Sequence, residues 1–183
     1  MKKNILKEVY EWLETFLVAL IAVILVFTFL LKFVTVSGDS MKETFHNGDR
    51  LLISSLPYTP ERGDVVVVDV THNLELLHYQ SKGAPYIKRV IATEGQTVNI
   101  DPISWKVYVD GKAIDEPYVY RADNYPMYKG TIEYPYTVPE GCVFVMGDNR
   151  NGSSDSRQIE AIDTRYILGK VFFRIAPRTG VIK

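Results

Sequence analysis

The run FLVALIAVILVFTFLL at residues 16–31 has a single polar member, Thr28, and it divides the chain into an anchor and a domain. A helix needs about 20 apolar residues to cross roughly 30 Å of hydrocarbon. With its flanks the run reaches that length, provided that the Lys32 side chain snorkels to the headgroups. The sequence therefore predicts a transmembrane anchor over residues 12–34.

Two other interpretations of this run are a buried core helix and a cleaved signal peptide. A core helix would need protein on every side, and the remaining residues, about 150, are too strand-like to supply it. Lys2, Lys3 and Lys7 suit a signal peptide, but no A-x-A cleavage site follows the run. The lysines favour a short cytoplasmic amino terminus at residues 1–11, which puts residues 35–183 outside the plasma membrane.

The composition of the chain excludes several classes of function. Its 183 residues include 21 Lys plus Arg and 22 Asp plus Glu, so a nucleic acid would meet no overall positive field. The single cysteine, Cys142, cannot form an intrachain disulfide, and His46, His72 and His78 are not at ligand spacing. We therefore expect no nucleic-acid partner and no metal, while the oligomeric state stays open.

After the anchor, strand-like runs recur at short spacing. Asp-Gly at residues 110–111 predicts a type I′ hairpin, because both central positions of that turn need positive φ angles. Prolines and five tyrosines in residues 119–138 indicate an inserted smaller lobe at about residues 101–140. We predict a mostly antiparallel β domain with two sheets or a partly closed barrel. Strands are expected at residues 51–54, 65–70, 86–92, 97–100, 106–109, 142–146 and 166–175.

The segment SGDSM at residues 37–41 follows the anchor closely. If the chain is extended here, Val34, Val36, Gly38 and Ser40 share one face by the period-2 rule. This spacing predicts a shallow apolar groove beside the Ser40 hydroxyl, which could act as a nucleophile. The alternative is an ordinary polar turn that joins the anchor to the domain.

Lys88 lies among apolar neighbours in the strand-like run YIKRVI at residues 86–91. Burial disfavours the ammonium form, so a desolvated lysine can be a neutral base near neutral pH. Such a base can take the proton of a serine hydroxyl without histidine or aspartate. The alternative is an edge strand in which Lys88 and Arg89 only prevent aggregation.

Residues 147–157 read GDNRNGSSDSR, and we call this segment the polar loop. Its two aspartates and two arginines can pair and fix its shape, while Ser153 or Ser154 can orient a lysine amine. The alternatives are a solvated surface loop and a calcium loop. The intruding arginines and the lack of a glutamate at the twelfth loop position weigh against calcium.

The anchor, SGDSM, KRVI and GDNRNGSSDSR, in this order, resemble the bacterial type I signal peptidases over essentially the whole chain, most closely their short single-span form. By this resemblance Ser40 is the nucleophile, Lys88 is its general base, Ser153 holds the lysine amine, and the Ser40 N–H holds the oxyanion. The resemblance also implies structural salt bridges at Asp148, Arg150, Asp155 and Arg157, and substrate contacts at Val34, Val36, Gly38, Met41, Tyr86 and Ile87.

The implied activity is that of a membrane-anchored serine endopeptidase that needs no cofactor and removes signal peptides from secretory preproteins. Small residues are expected at P1 and P3 of the substrate, and the lipid bilayer is the other partner. Glu43 replaces the family's usual proline, and KRVIATEGQ replaces KRVIGLPGD, which suggests a divergent or dedicated enzyme. The alternatives are a non-cleaving, membrane-tethered assembly factor of the same fold and a sortase-like enzyme that uses Cys142.

Overall fold

The structure is a computed structural model that describes residues 5–69, 85–121 and 124–182. Its first element is the helix α1 (Ile5–Leu25), which continues as a π-helical segment (Val26–Leu30). A second, single-turn helix is α2 (Ser156–Ile159). The strands of the described residues are β1 (Leu31–Thr35), β2 (Arg50–Ser54), β3 (Val65–Val68), β4 (Tyr86–Thr93), β5 (Thr97–Asp101), β6 (Lys106–Val109), β7 (Lys112–Ala113), β8 (Tyr136–Thr137), β9 (Cys142–Met146), β10 (Ile162–Asp163), β11 (Ile167–Ala176) and β12 (Gly180–Val181).

Helix α1 and the π-helical segment form one apolar helix of 26 residues, Ile5–Leu30, in which the most apolar window has a mean hydropathy of 2.7 and no buried residue. At about 1.5 Å per residue this helix is long enough to cross a bilayer. None of the side chains of α1 is buried. The core-helix interpretation is therefore wrong.

The boundaries of the helix differ from those expected from hydropathy. The helix has begun by Ile5 instead of residue 12, and residues 31–34, assigned to the anchor from the sequence, belong to β1. Strand β1 pairs along its whole length with β2, and the Ser55 N–H donates to the Leu30 carbonyl oxygen at 2.9 Å. Cross-strand hydrogen bonds thus decide the conformation where hydropathy alone would continue the helix.

The large sheet has eight strands in the order β1-β2-β11-β3-β4-β9-β10, with β12 beside β11. Its neighbouring strands are antiparallel. Strand β4 is an interior strand, because β3 pairs with one of its edges and β9 with the other. The six central residues of β4 are buried, so this strand carries Lys88 and Arg89 into the protein interior.

The small lobe, residues 97–138, contains the four-stranded antiparallel sheet β7-β6-β5-β8. Val98, Val107 and Met127 of this lobe pack in one core with Ile91 and Phe144 of the large sheet. The lobe was expected at about residues 101–140, and its sheet begins slightly earlier, at Thr97. The shared core fixes the lobe against β4 and β9.

The antiparallel two-sheet architecture confirms the predicted fold class. The type I′ hairpin is also confirmed, since Asp110 has a φ of 51°, Gly111 has a φ of 76°, and Val109 pairs with Lys112. The last long strand begins one residue later than expected, because Tyr166 ends a 3₁₀ turn. Val70, the last residue of the strand expected at residues 65–70, lies outside the described residues.

Candidate active site

Ser40 and Lys88 meet in a cleft between β1 and β4. The Lys88 Nζ lies 2.9 Å from the Ser40 Oγ and donates to the Ile87 carbonyl oxygen at 3.1 Å. The Tyr86 ring lies below the amine, with its centroid 5.0 Å from Nζ. Within the described part of the chain, no carboxylate forms an ion pair with this amine.

Lys88 is only 3% exposed, and this burial changes the protonation of its amine. Desolvation lowers the pKa of the Lys88 amine from 10.5 to about 8, while Asp155 and Asp148 act to raise it and Arg157 acts to lower it further. A minor fraction of the amine is therefore neutral near physiological pH, far more than for an exposed lysine. In that form Nζ can accept the Ser40 proton at hydrogen-bond distance.

The strand that carries Lys88 excludes the gatekeeper interpretation. Lys88 is opposite Val66 of β3, and Arg89 is opposite Val65 of the same strand. On the other side, Arg89 is opposite Met146 of β9. Pairing with β9 begins only at Arg89, but both cations are 3% exposed, so they present no charge at a solvent-exposed edge and the aggregation-gatekeeper interpretation is wrong.

The strand that precedes Ser40, β1, ends at Thr35, and its backbone hydrogen bonding continues only to Val36. The Val36 N–H donates to the Asp49 carbonyl oxygen at 2.9 Å, but Gly38 then adopts a φ of +89° and the chain turns. The expectation that Val36, Gly38 and Ser40 share one face of an extended segment is therefore wrong for Gly38 and Ser40. A left-handed glycine turn, followed by the buried Met41, brings the hydroxyl to the cleft.

The cleft is a cavity of about 120 Å³ beside Ser40 and Lys88. Gly38 does not line it, because the Gly38 N–H is held in the turn by the Asn47 side chain at 3.2 Å. The other residues expected to contact substrate do line it, together with several that the sequence did not indicate. The expected ones are Val34, Val36, Met41, Tyr86 and Ile87, and the further ones are Thr35, Ser37, Pro85 and Ser154.

The polar loop is fixed by a fully buried ion pair. Asp155 and Arg157 have side chains that are 0% exposed, and the Arg157 Nε donates to the Asp155 Oδ1 at 2.7 Å. Burial acts to raise the pKa of the Asp155 carboxyl, but the Arg157 guanidinium outweighs it and holds this pKa below its ordinary value. The Gly147 N–H also donates to Asp155, at 2.9 Å, so the carboxylate ties both ends of the loop together.

The other two charges of the polar loop pair outside it, which corrects the expectation of pairs within the loop. Asp148 accepts two hydrogen bonds from Arg89, at 3.0 and 2.8 Å, and a further one from the Thr44 hydroxyl. Arg150 pairs with Glu116 of the small lobe. The loop passes between β4 and the small lobe, so its first two charged side chains meet partners on those elements instead of each other.

Ser153 does not hold the Lys88 amine as the resemblance implied. Its hydroxyl oxygen is buried and makes no hydrogen bond of ordinary geometry among the described residues, although it lies near enough to the Asp155 carboxylate to help lower the pKa of that carboxyl. It packs beside Gly147, where a Cβ would collide with both the Ser153 hydroxyl and the Ser40 carbonyl oxygen. Ser154, which the sequence left as the other candidate, lines the cleft instead.

The polar loop also contacts the backbone around Ser40. The Asn149 N–H donates to the Ser40 carbonyl oxygen at 3.0 Å, and the Asn149 side chain donates to the Asp39 carbonyl oxygen at 3.1 Å. Within residues 5–69, 85–121 and 124–182, the Ser40 N–H has no acceptor. It is therefore free to donate to an oxyanion formed beside the hydroxyl.

Sequence reasoning missed three residues that hold this site, namely Arg89, Glu116 and Tyr118. Arg89 carried the same signal as Lys88, a charge inside an apolar strand, but it was interpreted only as a surface gatekeeper. Glu116 and Tyr118 lie in a segment without periodicity, so no pattern in the sequence distinguishes them from solvated loop residues. Only their buried contacts identify them.

The described residues contain no group of three or more histidine, cysteine, aspartate or glutamate side chains that could hold a metal ion. His72 and His78 lie outside these residues, while the exposed His46 is 3.9 Å from the Glu43 carboxylate. Cys142 is opposite Asp163 in the β9–β10 pair, and burial raises the pKa of its thiol. A raised pKa does not favour the thiolate that a cysteine nucleophile needs.

The family model and the curated relatives agree on one family. The signal peptidase family, peptidase S26, matches residues 9–176. Probable signal peptidase I-1 of Synechocystis sp. is 37% identical over 170 residues, which cover 87% of this chain and 81% of that protein. Signal peptidase I of Bacillus licheniformis is 34% identical over 190 residues, covering 100% of this chain and 95% of that protein. A crystal structure of a signal peptidase I from Enterococcus faecalis matches with a TM-score of 0.46 at 26% identity, over 63% of this chain and 98% of that chain.

Proposed function

This chain belongs to the signal peptidase family, peptidase S26, and on that premise we propose that Ser40 and Lys88 are the catalytic dyad with which it cleaves signal peptides. Membership makes the chain a serine endopeptidase and does not favour a non-cleaving assembly factor. The observation that carries the proposal is the 2.9 Å contact between the Lys88 Nζ and the Ser40 Oγ, made by an amine that burial keeps partly neutral.

The proposed reaction has two halves. Neutral Lys88 takes the Ser40 proton, and Oγ attacks the scissile carbonyl carbon, while the Ser40 N–H donates to the resulting oxyanion. The C–N bond then breaks, the Lys88 ammonium returns its proton to the leaving amine, and the signal peptide remains as an ester on Ser40. A water molecule, deprotonated by Lys88, hydrolyses that ester and regenerates the dyad.

The cleft supports a preference for small side chains at P1 and P3. Its volume of about 120 Å³ is shared by the whole site, and Val34, Val36 and Ile87 supply apolar walls. A methyl group fits such walls, whereas a longer side chain would have to displace packed residues. Substrates with alanine at both positions should therefore be cleaved fastest.

The anchor is proposed to cross the plasma membrane once, with residues 1–11 in the cytoplasm and residues 35–183 outside. Strand β1 begins directly after the helix, so the cleft lies within a few residues of the membrane face. Secretory preproteins embedded in the same bilayer then meet the site at a raised effective concentration. Protease added to spheroplasts should digest the β domain, and protection of the domain would reverse the orientation.

The dyad is tested with Ser40→Ala in the full-length protein, reconstituted in lipid vesicles with a reporter preprotein. Cleavage should disappear, and a serine-directed acylating reagent should label the wild-type protein but not the variant. Ser104→Ala, a change at an exposed serine of the small lobe, is the matched control and should cleave normally. Residual cleavage by folded Ser40→Ala would show that another group is the nucleophile.

A further inference from the structure

Glu116 is a buried carboxylate of the small lobe that the proposed reaction does not use. Its side chain is 7% exposed, and that of its partner Arg150 is 0% exposed. The Arg150 Nη1 donates to the Glu116 Oε2 at 3.1 Å, and Nη2 donates to Oε1. A bidentate pair of this kind holds a guanidinium in both position and orientation.

Arg150 passes this restraint to the backbone beside the nucleophile. Its Nε donates to the Gly147 carbonyl oxygen at 3.1 Å, and its own carbonyl oxygen accepts from the Arg157 Nη2 at 2.6 Å. Gly147 is so close to Ser40 that any Cβ would strike the Ser40 carbonyl oxygen. A displacement of Arg150 would therefore move the loop backbone against which Ser40 rests.

A second branch runs from Glu116 to the strand that carries Lys88. The Tyr118 hydroxyl donates to the Glu116 Oε1 at 3.2 Å, and the Tyr118 ring centroid lies 3.9 Å from the Arg89 guanidinium carbon. Arg89 follows Lys88 directly in β4 and holds Asp148 of the polar loop with two hydrogen bonds. These contacts form a closed ring of residues. It runs from Tyr118 of the small lobe through the Lys88 strand to the polar loop, and it returns to the lobe through the pair of Arg150 and Glu116.

We propose that Glu116 is a positioning residue for the peptidase reaction, which holds the polar loop against Ser40 from one side and steadies the Lys88 strand from the other. The inference rests on the proposed roles of Ser40 and Lys88. Reacting groups must be held closely, and a misplacement of about 1 Å can cost on the order of 10²-fold in rate. Glu116 is not among the residues that line the cleft, so its effect should fall on the chemical step and not on substrate binding.

The principal test is Glu116→Gln in the full-length protein, which keeps the volume but leaves the Arg150 charge without a counter-ion. We expect kcat on the reporter preprotein to fall about tenfold or more while KM changes by less than about twofold. Glu116→Asp restores the carboxylate and should recover part of kcat. Asp115→Asn, at the exposed neighbouring carboxylate, is the control and should match the wild-type protein.

A milder variant keeps the test valid if Glu116→Gln folds poorly. Tyr118→Phe retains the ring over Arg89 and removes only the hydroxyl, so kcat should fall by about two- to threefold. Because that hydroxyl acts through Glu116, the double variant should be no slower than Glu116→Gln alone. If the losses in kcat multiply in the double variant, the two residues act independently, and the proposed ring of contacts is contradicted.

Two further results separate positioning from a purely structural role. The rate at which a small acylating reagent modifies Ser40 should fall in parallel with kcat in the Glu116 variants. An unchanged kcat per folded molecule, a loss confined to KM, or no recovery in Glu116→Asp would each overturn the proposal. Failure of the dyad itself is recognised separately, since Ser40→Ala would then remain active.

Discussion

The Ser40–Lys88 cleft and the polar loop are both buried and polar, but they differ in whether their buried charges are paired with opposite charges. In the polar loop and its partners, each buried charge has a close counter-charge: Asp155 with Arg157, Asp148 with Arg89, and Arg150 with Glu116. In the cleft, the Lys88 amine is equally buried, yet it meets a hydroxyl, a carbonyl oxygen and a ring.

This difference in pairing has opposite consequences for a buried charge. A paired buried ion stays charged, and it is costly to move because its partner would be left alone in a medium of low dielectric constant. An unpaired buried amine relieves the same cost by losing its proton, which makes it a base. The proposed base thus lies beside an array of paired buried charges.

The largest expected effect is at Lys88, the buried amine of the cleft. Lys88→Met should reduce cleavage by about 10³-fold or more, since Ser40 loses its base, yet it should leave thermal stability unchanged or raised because no amine must be desolvated. Lys88→Arg should be as inactive, because a guanidinium cannot give up its proton. Single-turnover cleavage and thermal unfolding measure the two quantities, and an active Lys88→Arg variant would exclude the amine as base.

The next effect breaks an ion pair of the polar loop. Arg157→Met leaves the Asp155 carboxylate buried and unpaired, which should cost about 3–5 kcal/mol in the free energy of unfolding by urea. The double variant Asp155→Asn/Arg157→Met should regain part of that loss, because the buried charge is gone but the Arg150 carbonyl oxygen still lacks its Arg157 donor. Arg165→Met is the control, since Arg165 also pairs with an aspartate but is 82% exposed and should change stability little. Equal losses in the two single variants would contradict the distinction drawn from burial.

The pH profile sharpens the contrast between the unpaired amine and the paired charges. Below a pH of about 8 the Lys88 amine is protonated and cannot accept the Ser40 proton, so kcat/KM should fall about tenfold per pH unit as the pH decreases. Above that value it should level off. A midpoint near 10.5, the ordinary value for lysine, would mean that water reaches the amine during turnover.

A smaller effect concerns the apolar wall of the cleft. Val36→Ala enlarges the space beside Ser40, and cleavage of a preprotein with valine at P1 should improve relative to alanine by about tenfold. Ile103→Ala, at an exposed position of the small lobe, should leave that ratio unchanged. The ratio of kcat/KM values for the two substrates is the measurement, and an unaltered ratio in Val36→Ala would place the P1 side chain elsewhere.

The smallest effect is expected at Cys142, a thiol in neither region. Cys142→Ser should alter kcat/KM by less than about twofold, because the thiol packs beside the core shared by the two lobes and burial raises its pKa. A large loss of activity with unchanged stability would revive the cysteine-dependent mechanism.

The parts of the fold that were predictable are those with a strong local signal. The apolar helix, the Asp-Gly hairpin and the longer strands follow from hydropathy, turn chemistry and β-branched residues over a few neighbouring positions. Where local preference competes with pairing, prediction fails: residues 31–34 are apolar enough for the anchor but form β1 because β2 offers a partner. Gly38 is likewise expected on an extended face from the sequence, but in the structure it has a positive φ and the chain turns there.

In the site, the sequence indicated the functional residue types, but it did not indicate which side chains pair with one another. The sequence alone indicated Ser40, Lys88 and the polar loop as candidates, and their order behind the anchor, which resembles that of the signal peptidases, predicted that they form one site. Tertiary structure alone decided that Asp148 pairs with Arg89, that Arg150 pairs with Glu116, and that the Ser153 hydroxyl lies beside Gly147 without a hydrogen bond to the amine. Contacts between residues distant in the chain depend on how the small lobe and the large sheet pack, and no local pattern encodes that packing.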